Sequence, residues 1–233
     1  EWQIAYESDP IGEADTTTRQ FQLVNSDIDE LNYSNFARHV SSETSGTVWL
    51  RPLLADRPLI SRPVTPLYVP SEEIVTIFVR SPVWLRIETA QPSDFLQELP
   101  MLRLSDTWFG PDTMTGELCY ASRTYARLNL ENLQIEPHHA ITQVTINNRA
   151  NSQLLVERLK LPVPHLALFE ASNEVLWTQG VTMTRSRDTA MADFQIEQSP
   201  PERAGVVELL SQPRQTTGIK MAVYAFGALF RSQ

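Results

Sequence analysis

Residues 103–111 contain the densest mixture of side chains that could bind a ligand. The segment combines Arg103 and Asp106 with two hydroxyl side chains and the adjacent aromatic residues Trp108 and Phe109. Binding sites concentrate on loops that display aromatic and charged groups, so we interpret this segment as such a loop. Trp108 would then offer a stacking face, while Arg103 and Asp106 bind polar groups. The structural alternative is that Trp108 and Phe109 close one end of the fold while Asp106 caps the local backbone.

The strand predicted after this segment adds a second candidate surface. Arg123, Tyr125 and Arg127 alternate along it and therefore share one face, where arginine over an aromatic ring is a favourable pair. The candidate binding residues are Arg103, Asp106, Trp108, Arg123 and Tyr125. Their chemistry suits a protein partner or a small anionic ligand.

His138 and His139 form the only histidine cluster and follow Glu136 by two and three positions. Neighbouring residues of a strand point to opposite faces, so the two imidazoles could bind one metal ion only within a loop and with further ligands, such as His165. We therefore expect no metal ion or other cofactor. The pair is interpreted as solvated histidines in a turn that enters a strand at Ala140.

Two further groups have structural explanations. Cys119 is the only cysteine, which excludes an internal disulfide, and its apolar neighbours on a predicted strand favour a buried thiol over a nucleophile. Asp94 and Glu98 lie four residues apart on a predicted short helix, which Ser93 or Asp94 would cap and Pro100 would end. A solvated helix face explains these carboxylates without acid–base chemistry.

The local motifs of the commonest enzyme classes are absent from the sequence. It contains no nucleophile elbow, phosphate-binding loop, dinucleotide fingerprint or two-histidine zinc-protease helix. We therefore assign no catalytic residues. The alternative is an enzyme without a local motif that acts on a carbohydrate or phosphorylated metabolite, with Asp106, Arg123 and the histidines in one cleft.

Short apolar runs between turns predict that strands position these residues. Turns at Ser81-Pro82 and Ser172-Asn173-Glu174 predict two hairpins. The predicted strands cover residues 2–6, 74–79, 83–88, 118–130, 140–146, 154–161, 166–169, 175–184 and 194–196.

The C-terminal segment, residues 219–230, has apolar residues at helical spacing. Together these elements predict an all-β fold, mainly an antiparallel β-sandwich, with a short C-terminal helix. One form of this prediction is a sandwich made of two packed sub-sheets. We expect a single domain over residues 1–233, with a sub-domain boundary near residue 100 as the alternative.

Composition limits the partners and the location. The net charge of -9 and the pI near 5.0 argue against nucleic acid, because phosphate binding needs a positive face. No apolar run reaches the length of a transmembrane helix, and the single cysteine favours the cytoplasm. The chain begins with Glu1 and not with methionine, so the alternative that a signal peptide has been removed stays open. Only two of the 19 basic residues are lysines, and such arginine use reflects either anion recognition or a composition bias.

Three strings of the sequence carry a resemblance to a known family. They are EWQIAY at residues 1–6, LRLSDTWFGP at residues 102–111 and GELCYA at residues 116–121. The chain resembles the bacterial and archaeal family of domains of unknown function numbered four-three-two (DUF432). The resemblance implies no established activity and no functional residues. Genes of that family often lie beside small mechanosensitive channels, which implies a link to osmotic or membrane stress.

We therefore predict a non-enzymatic binding or regulatory module. A sheet face or the segment of residues 103–111 would contact its protein partner or small anion. Homo-oligomerisation through an exposed strand face is compatible with this prediction.

Overall fold

The computed structural model describes residues 2–6, 35–40, 46–89, 95–102, 104–112, 114–136, 138–216 and 221–227, with backbone only at residues 122–125 and 221–222. The described residues form nineteen strands and three short 3-10 helices, Leu130–Asn132, Val163–His165 and Glu202–Ala204. The strands are β1 (Trp2–Tyr6), β2 (Asn35–His39), β3 (Val48–Leu54), β4 (Leu59–Pro63), β5 (Leu67–Val69), β6 (Ile74–Thr89), β7 (Phe95–Pro100), β8 (Ser105–Phe109), β9 (Glu117–Ala126), β10 (His139–Asn148), β11 (Leu154–Val156), β12 (Arg158–Leu161), β13 (Leu168–Ala171), β14 (Leu176–Thr178), β15 (Val181–Arg185), β16 (Met191–Ile196), β17 (Val207–Ser211), β18 (Met221–Tyr224) and β19 (Phe226–Gly227). The prediction of a β-rich chain is confirmed.

The largest sheet has ten strands and is organised around β10. One edge of β10 pairs antiparallel with β6, and the other pairs parallel with β14 and then with β15. On the edge shared by β14 and β15 the sheet branches, through β14 and β13 to β17 and through β15 and β16 to β18. The sheet is therefore mixed: most of its strand pairs are antiparallel, whereas the pairs of β10 with β14 and with β15 are parallel.

A second sheet has five strands in the order β19-β12-β4-β9-β8 and is also mixed, because β4 and β9 run parallel. One hydrophobic cluster takes side chains from both sheets. Val144 and Ile146 of β10 and Leu159 and Leu161 of β12 belong to it, and all four are fully buried. Such a shared core explains how an all-β chain buries the apolar faces of both sheets.

The predicted hairpin at Ser81-Pro82 does not form, because β6 runs through these residues as one strand of 16 residues. The strand exchanges partners at this point. Pro82 lies opposite the first residue of β10, and Val83 lies opposite Leu54, the last residue of β3. The Val83 N–H donates to the carbonyl of His138, so the nitrogen of Pro82 faces the other edge, where β3 has not yet begun to pair. A proline is tolerated where the strand needs no donor.

Both predicted helices are replaced by strands where the structure describes them; residues 219–220 and 228–230 of the C-terminal segment lie outside the described residues. Residues 95–100 form β7, which pairs antiparallel with the second half of β6, so Glu98 lies on a strand; Ser93 and Asp94 lie outside the described residues. In the C-terminal segment, β18 pairs with β16 in the large sheet and β19 pairs with β12 in the second sheet. Ala225 lies between them and is fully buried. Where the chain crosses from one sheet to the other, the side that faces the core changes. The buried residues therefore do not alternate as in a single strand, and their spacing resembles that of a helix.

Several other predicted elements are confirmed. The hairpin at Ser172-Asn173-Glu174 joins β13 to β14, and the Glu174 N–H donates to the carbonyl of Ala171. The strands predicted at residues 2–6, 140–146 and 194–196 correspond to β1, β10 and β16. No helix among the described residues has the length and apolar character needed to cross a membrane.

Candidate functional site

The predicted binding loop is part of a β-hairpin. Residues 105–109 form β8, which pairs antiparallel with β9 from Ser105 opposite Ala121 to Phe109 opposite Glu117. The interpretation as a loop was therefore wrong; the alternation of Asp106 and Trp108 with Thr107 and Phe109 is that of a strand at a sheet edge. Arg103 lies outside the described residues.

Trp108 belongs to β8, and its side chain packs against the turn that joins β8 to β9. Its side chain is 45 % exposed, and its indole N–H donates to the carbonyl of Asp112 at 3.0 Å. A Cβ on Gly116 would come within 2.2 Å of the indole nitrogen, so the ring needs a glycine beneath it. The Asp112 carboxylate accepts the backbone N–H groups of Thr115 and Met114, and these bonds hold its pKa below the usual value.

Asp106 belongs to an exposed polar cluster at the loop between β3 and β4. Its carboxylate accepts a hydrogen bond from Arg57 at 3.0 Å, and the Arg57 guanidinium lies 5.2 Å from the ring centre of Tyr120. The Tyr120 hydroxyl donates to Asp56 at 2.9 Å. Burial and the Asp56 carboxylate raise the pKa of Tyr120 to about 12, so the phenol keeps its proton at neutral pH.

Arg123 and Tyr125 lie on the backbone of β9, where Tyr125 is paired with Arg62 of β4. Their side chains lie outside the described residues, so the proposed arginine and tyrosine face stays a prediction.

Cys119 is fully buried beside Ile60 and Phe109, as predicted for a structural thiol. Burial, with a smaller contribution from Glu117, raises the pKa of the thiol to about 12. A thiol that holds its proton so strongly is a poor nucleophile.

A cavity of about 400 Å³ lies where β3 and β6 meet the segment after β17. Its wall contains three arginines and one glutamate, from residues 51–53, Arg86, Glu88 and residues 211–214. Pairing between β3 and β6 places Arg51 opposite Arg86, and the chain following β17 adds Arg214. Sequence reasoning did not find this site, because Arg214 is far from the other two arginines in the chain.

Two carboxylates hold the three guanidinium groups in place. Glu98 accepts Arg86 Nε at 2.8 Å and Arg214 NH1 at 3.0 Å, and Arg214 also donates to the carbonyl of Leu54. Glu88 accepts Arg51 Nε at 2.9 Å. Among the described residues no hydrogen bond occupies the terminal nitrogens of Arg51, whose side chain is 57 % exposed.

The two arginines change the pKa of Glu98. Partial burial would raise the pKa, but hydrogen bonds from Arg214 and Arg86 outweigh that effect and hold it below the usual value. Glu98 is therefore charged at neutral pH and fixes the orientation of two guanidinium groups at the cavity.

The two histidines form a second cluster. His138 lies in the turn before β10 and His139 is its first residue, so the strand rule that separates neighbouring side chains does not apply to them. Their ring centres are 4.5 Å apart, and both rings are buried, so the interpretation as solvated histidines was wrong.

Glu136 connects the two rings. Its Oε2 lies 3.2 Å from His138 Nε2 and 2.9 Å from His139 Nδ1, while Arg80 lies 3.3 Å from its Oε1. The hydrogen bond from His139, opposed by burial and supported by the nearby positive charges, lowers the pKa of Glu136 to about 2. A carboxylate and two imidazoles are a set of side chains that could hold a metal ion.

Of the residues that the enzyme alternative brings together, Asp106 and the histidines belong to different clusters. Asp106 pairs with Arg57 on the outside of the second sheet, whereas the histidines meet Glu136 beside β6. The enzyme alternative requires a single cleft that contains both Asp106 and the histidines, and these residues have different contact partners.

Comparison with known proteins identifies one family. A family model described as a protein of unknown function (DUF432) matches residues 1–230. No curated protein and no solved structure matches the chain.

Proposed function

The chain belongs to the DUF432 family of proteins of unknown function, and from its arginine-lined cavity we propose that it is a non-enzymatic binding module for a small anion. The observation that carries this proposal is the local charge. Three arginines and one glutamate line the cavity, and with Glu98, which accepts hydrogen bonds from Arg86 and Arg214, the group keeps a net positive charge in a protein whose net charge is -9. Such a positive site in an acidic molecule favours an anion over the surrounding surface.

The side chains match the chemistry of anion recognition. Guanidinium groups present several N–H donors in a fixed plane and bind carboxylate or phosphate in a bidentate manner. Glu98 and Glu88 orient Arg86, Arg214 and Arg51 before any ligand arrives. Preorganised donors bind more tightly, because less side-chain freedom is lost when the ligand binds.

The size of the cavity limits the ligand. Small-molecule sites commonly measure about 300–1,000 Å³, so a cavity of about 400 Å³ suits a compact anion with few carbon atoms. Pro52, Leu53 and Pro213 add apolar wall, which suits a metabolite that carries a phosphate or several carboxylates on a small carbon skeleton.

Calorimetric titration with inorganic phosphate and with citrate at low ionic strength tests this function. We expect saturable binding of one ligand per chain for at least one of the two anions. Arg51→Gln should weaken it by about tenfold or more, because a hydrogen bond to a charged group is worth about 1.5–3 kcal/mol. Arg51 is the variant of choice because its exposed side chain contributes little to folding.

Arg187→Gln is the matched control, since it removes the same charge from an exposed position in the segment between β15 and β16. The control should bind as the wild type does. If both variants bind the anion equally weakly, the change in net charge alone explains the effect and Arg51 has no specific role. Absence of binding of either anion to the wild type at millimolar concentration would count against the proposal.

A role in osmotic or membrane stress is part of the same proposal, suggested by the gene neighbourhood of the family. Salt screens the attraction between exposed arginines and an anion, with a Debye length of about 8 Å at physiological ionic strength. Occupancy of the cavity would therefore fall as cellular salt rises. Titrations in increasing potassium chloride should show this decline, and an affinity independent of salt would exclude this form of sensing.

A further inference from the structure

Glu136, His138 and His139 occupy one compact turn at the start of β10. The His139 N–H donates to the carbonyl of Glu136, and the carbonyl of His138 accepts the N–H of Val83 on β6. These backbone bonds hold three ligand-type side chains at positions i, i+2 and i+3. The cluster shares no residue with the arginine cavity.

The distances between the ligand atoms are close to those of a metal site. A tetrahedral zinc ion with bonds of about 2.0–2.1 Å has its ligand atoms about 3.3 Å apart. Glu136 Oε2 lies 3.2 Å from His138 Nε2 and 2.9 Å from His139 Nδ1. One potential ligand atom of each side chain lies within 4.8 Å of the others. The two separations between Glu136 and the imidazoles would need to widen by only a few tenths of an ångström when an ion enters.

Burial also favours a built site. The side chains of His138 and His139 are 6 % and 4 % exposed, whereas Glu136 is partly exposed. Two ligands are therefore fixed by the surrounding protein, and the carboxylate lies on the accessible side. Three protein ligands leave a fourth position for water or an external ligand, which is the pattern of an open zinc site.

Arg80 fits the role of an outer partner. Its NH1 donates to the carbonyl of Gln134 at 2.8 Å and lies 3.3 Å from Glu136 Oε1, the oxygen that does not approach the imidazoles. Such a contact orients a ligating carboxylate. The positive charge of Arg80 also opposes a cation, so we expect weaker binding than that of sites with several thiolates.

We propose that Glu136, His138 and His139 form a three-ligand site for a zinc ion. Two imidazoles and one carboxylate are the borderline and hard ligands that suit Zn²⁺, and they are less suited to Ca²⁺ or Mg²⁺, which prefer oxygen ligands throughout. No thiol takes part, since Cys119 is buried in a different cluster.

The test uses the full chain after removal of metals with a chelator. Zinc chloride is titrated by calorimetry, and bound zinc is counted by mass spectrometry after dialysis. We expect one Zn²⁺ per chain and a rise in melting temperature with zinc, because a ligand that binds the folded state stabilises it. Cobalt chloride should give the intense visible absorption of a four-coordinate site.

Two variants locate the ion. His139→Gln and Glu136→Gln should each raise the dissociation constant for zinc at least about tenfold and abolish the cobalt absorption, since loss of even an outer partner commonly costs about 10–100-fold. His165→Gln is the matched control, because its imidazole lies elsewhere and contacts the carbonyl of Gln215. It should bind zinc as the wild type does.

The proposal is overturned if the wild type binds no zinc at tens of micromolar, or if both variants bind zinc as tightly as the control. If buried His139→Gln fails to fold, as judged by circular dichroism, Glu136→Gln decides the question, since glutamine keeps the volume of a partly exposed side chain. Preference for Mg²⁺ over Zn²⁺ would also overturn it.

Discussion

Glu98 lies between the guanidinium groups of Arg86 and Arg214 and accepts hydrogen bonds from both. Arg86 and Arg214 line the cavity, so the carboxylate that holds both of them links the stability of the fold to the geometry of the cavity. Removing it would leave two cations without their shared partner, and an uncompensated charge costs more than a lost neutral hydrogen bond.

Glu98→Gln should therefore lower the free energy of unfolding by about 1–3 kcal/mol at neutral pH. The folded pKa lies below the unfolded value of about 4.3, so the carboxylate contributes its full stability above that value. The contribution is lost as the pH falls through the folded pKa. Urea unfolding of wild type and variant should thus differ at pH 7, and the difference should shrink as the pH falls below the unfolded value of about 4.3.

Glu73→Gln is the matched control, since Glu73 is exposed, and its unfolding free energy should stay within about 0.5 kcal/mol of the wild type. A gap between wild type and Glu98→Gln that persists undiminished in acid would contradict the role given to the carboxylate.

At this scale the sequence indicates the chemistry better than the location. The excess of arginine over lysine is explained by anion recognition or by a composition bias, whereas the pairing of Glu98 with Arg214, 116 residues apart, is visible only in the fold. The histidines show the opposite case. They are adjacent in the chain, and a rule for strands predicts that they separate, whereas the turn before β10 brings both to Glu136.

At the scale of elements, the β8–β9 hairpin separates two adjacent aromatic residues. The Trp108 side chain packs against the hairpin turn, where its indole N–H donates to the carbonyl of Asp112, whereas Phe109 is 4 % exposed and packs with Ile60 and Cys119. The sequence motif suggests a joint role for the two rings, but alternation along a strand gives them opposite faces.

Phe109→Ala should cost about 3–5 kcal/mol, because it leaves a cavity in a packed cluster. Trp108→Ala should cost about 1 kcal/mol, since it removes one hydrogen bond and a ring that is already 45 % exposed. Thermal and urea unfolding of the two variants side by side measure the difference. Equal losses would show that Trp108 is as much a core residue as Phe109.

Local pattern is sufficient to predict many of these strands and insufficient where tertiary pairing overrides the local signal. Residues 140–146 are confirmed because strands on both edges bury their apolar run, and the hairpin at Ser172-Asn173-Glu174 is confirmed because its turn is local. Pro82 predicts a turn, but it lies inside β6, at the point where pairing with β10 ends and pairing with β3 begins. Residues 95–100 have polar positions compatible with a helix, and only the open edge of β6 makes them a strand. Such tertiary effects override local propensity.

For the whole molecule, the sequence predicts an all-β chain but not its mixed topology. Parallel pairs such as β4 with β9 and β10 with β15 join segments that are distant in sequence, and no turn motif in the sequence predicts them.

The strand pairs also bear on the alternative of a boundary near residue 100. Strands β4, β5 and β6 all precede that residue, and they pair with β9, β11 and β10, which all follow it.

We therefore expect the strands on both sides of residue 100 to unfold as one unit. A split there would break the nine residue pairs between β6 and β10 and divide the cluster that contains Ile77 and Val144. Differential scanning calorimetry should show one transition whose calorimetric and van't Hoff enthalpies agree. Ile77→Ala, at a fully buried position of β6, should move that whole transition to lower temperature, because the cavity costs about 2–5 kcal/mol. Two transitions, of which this variant shifts one, would instead establish separate folding units on either side of residue 100.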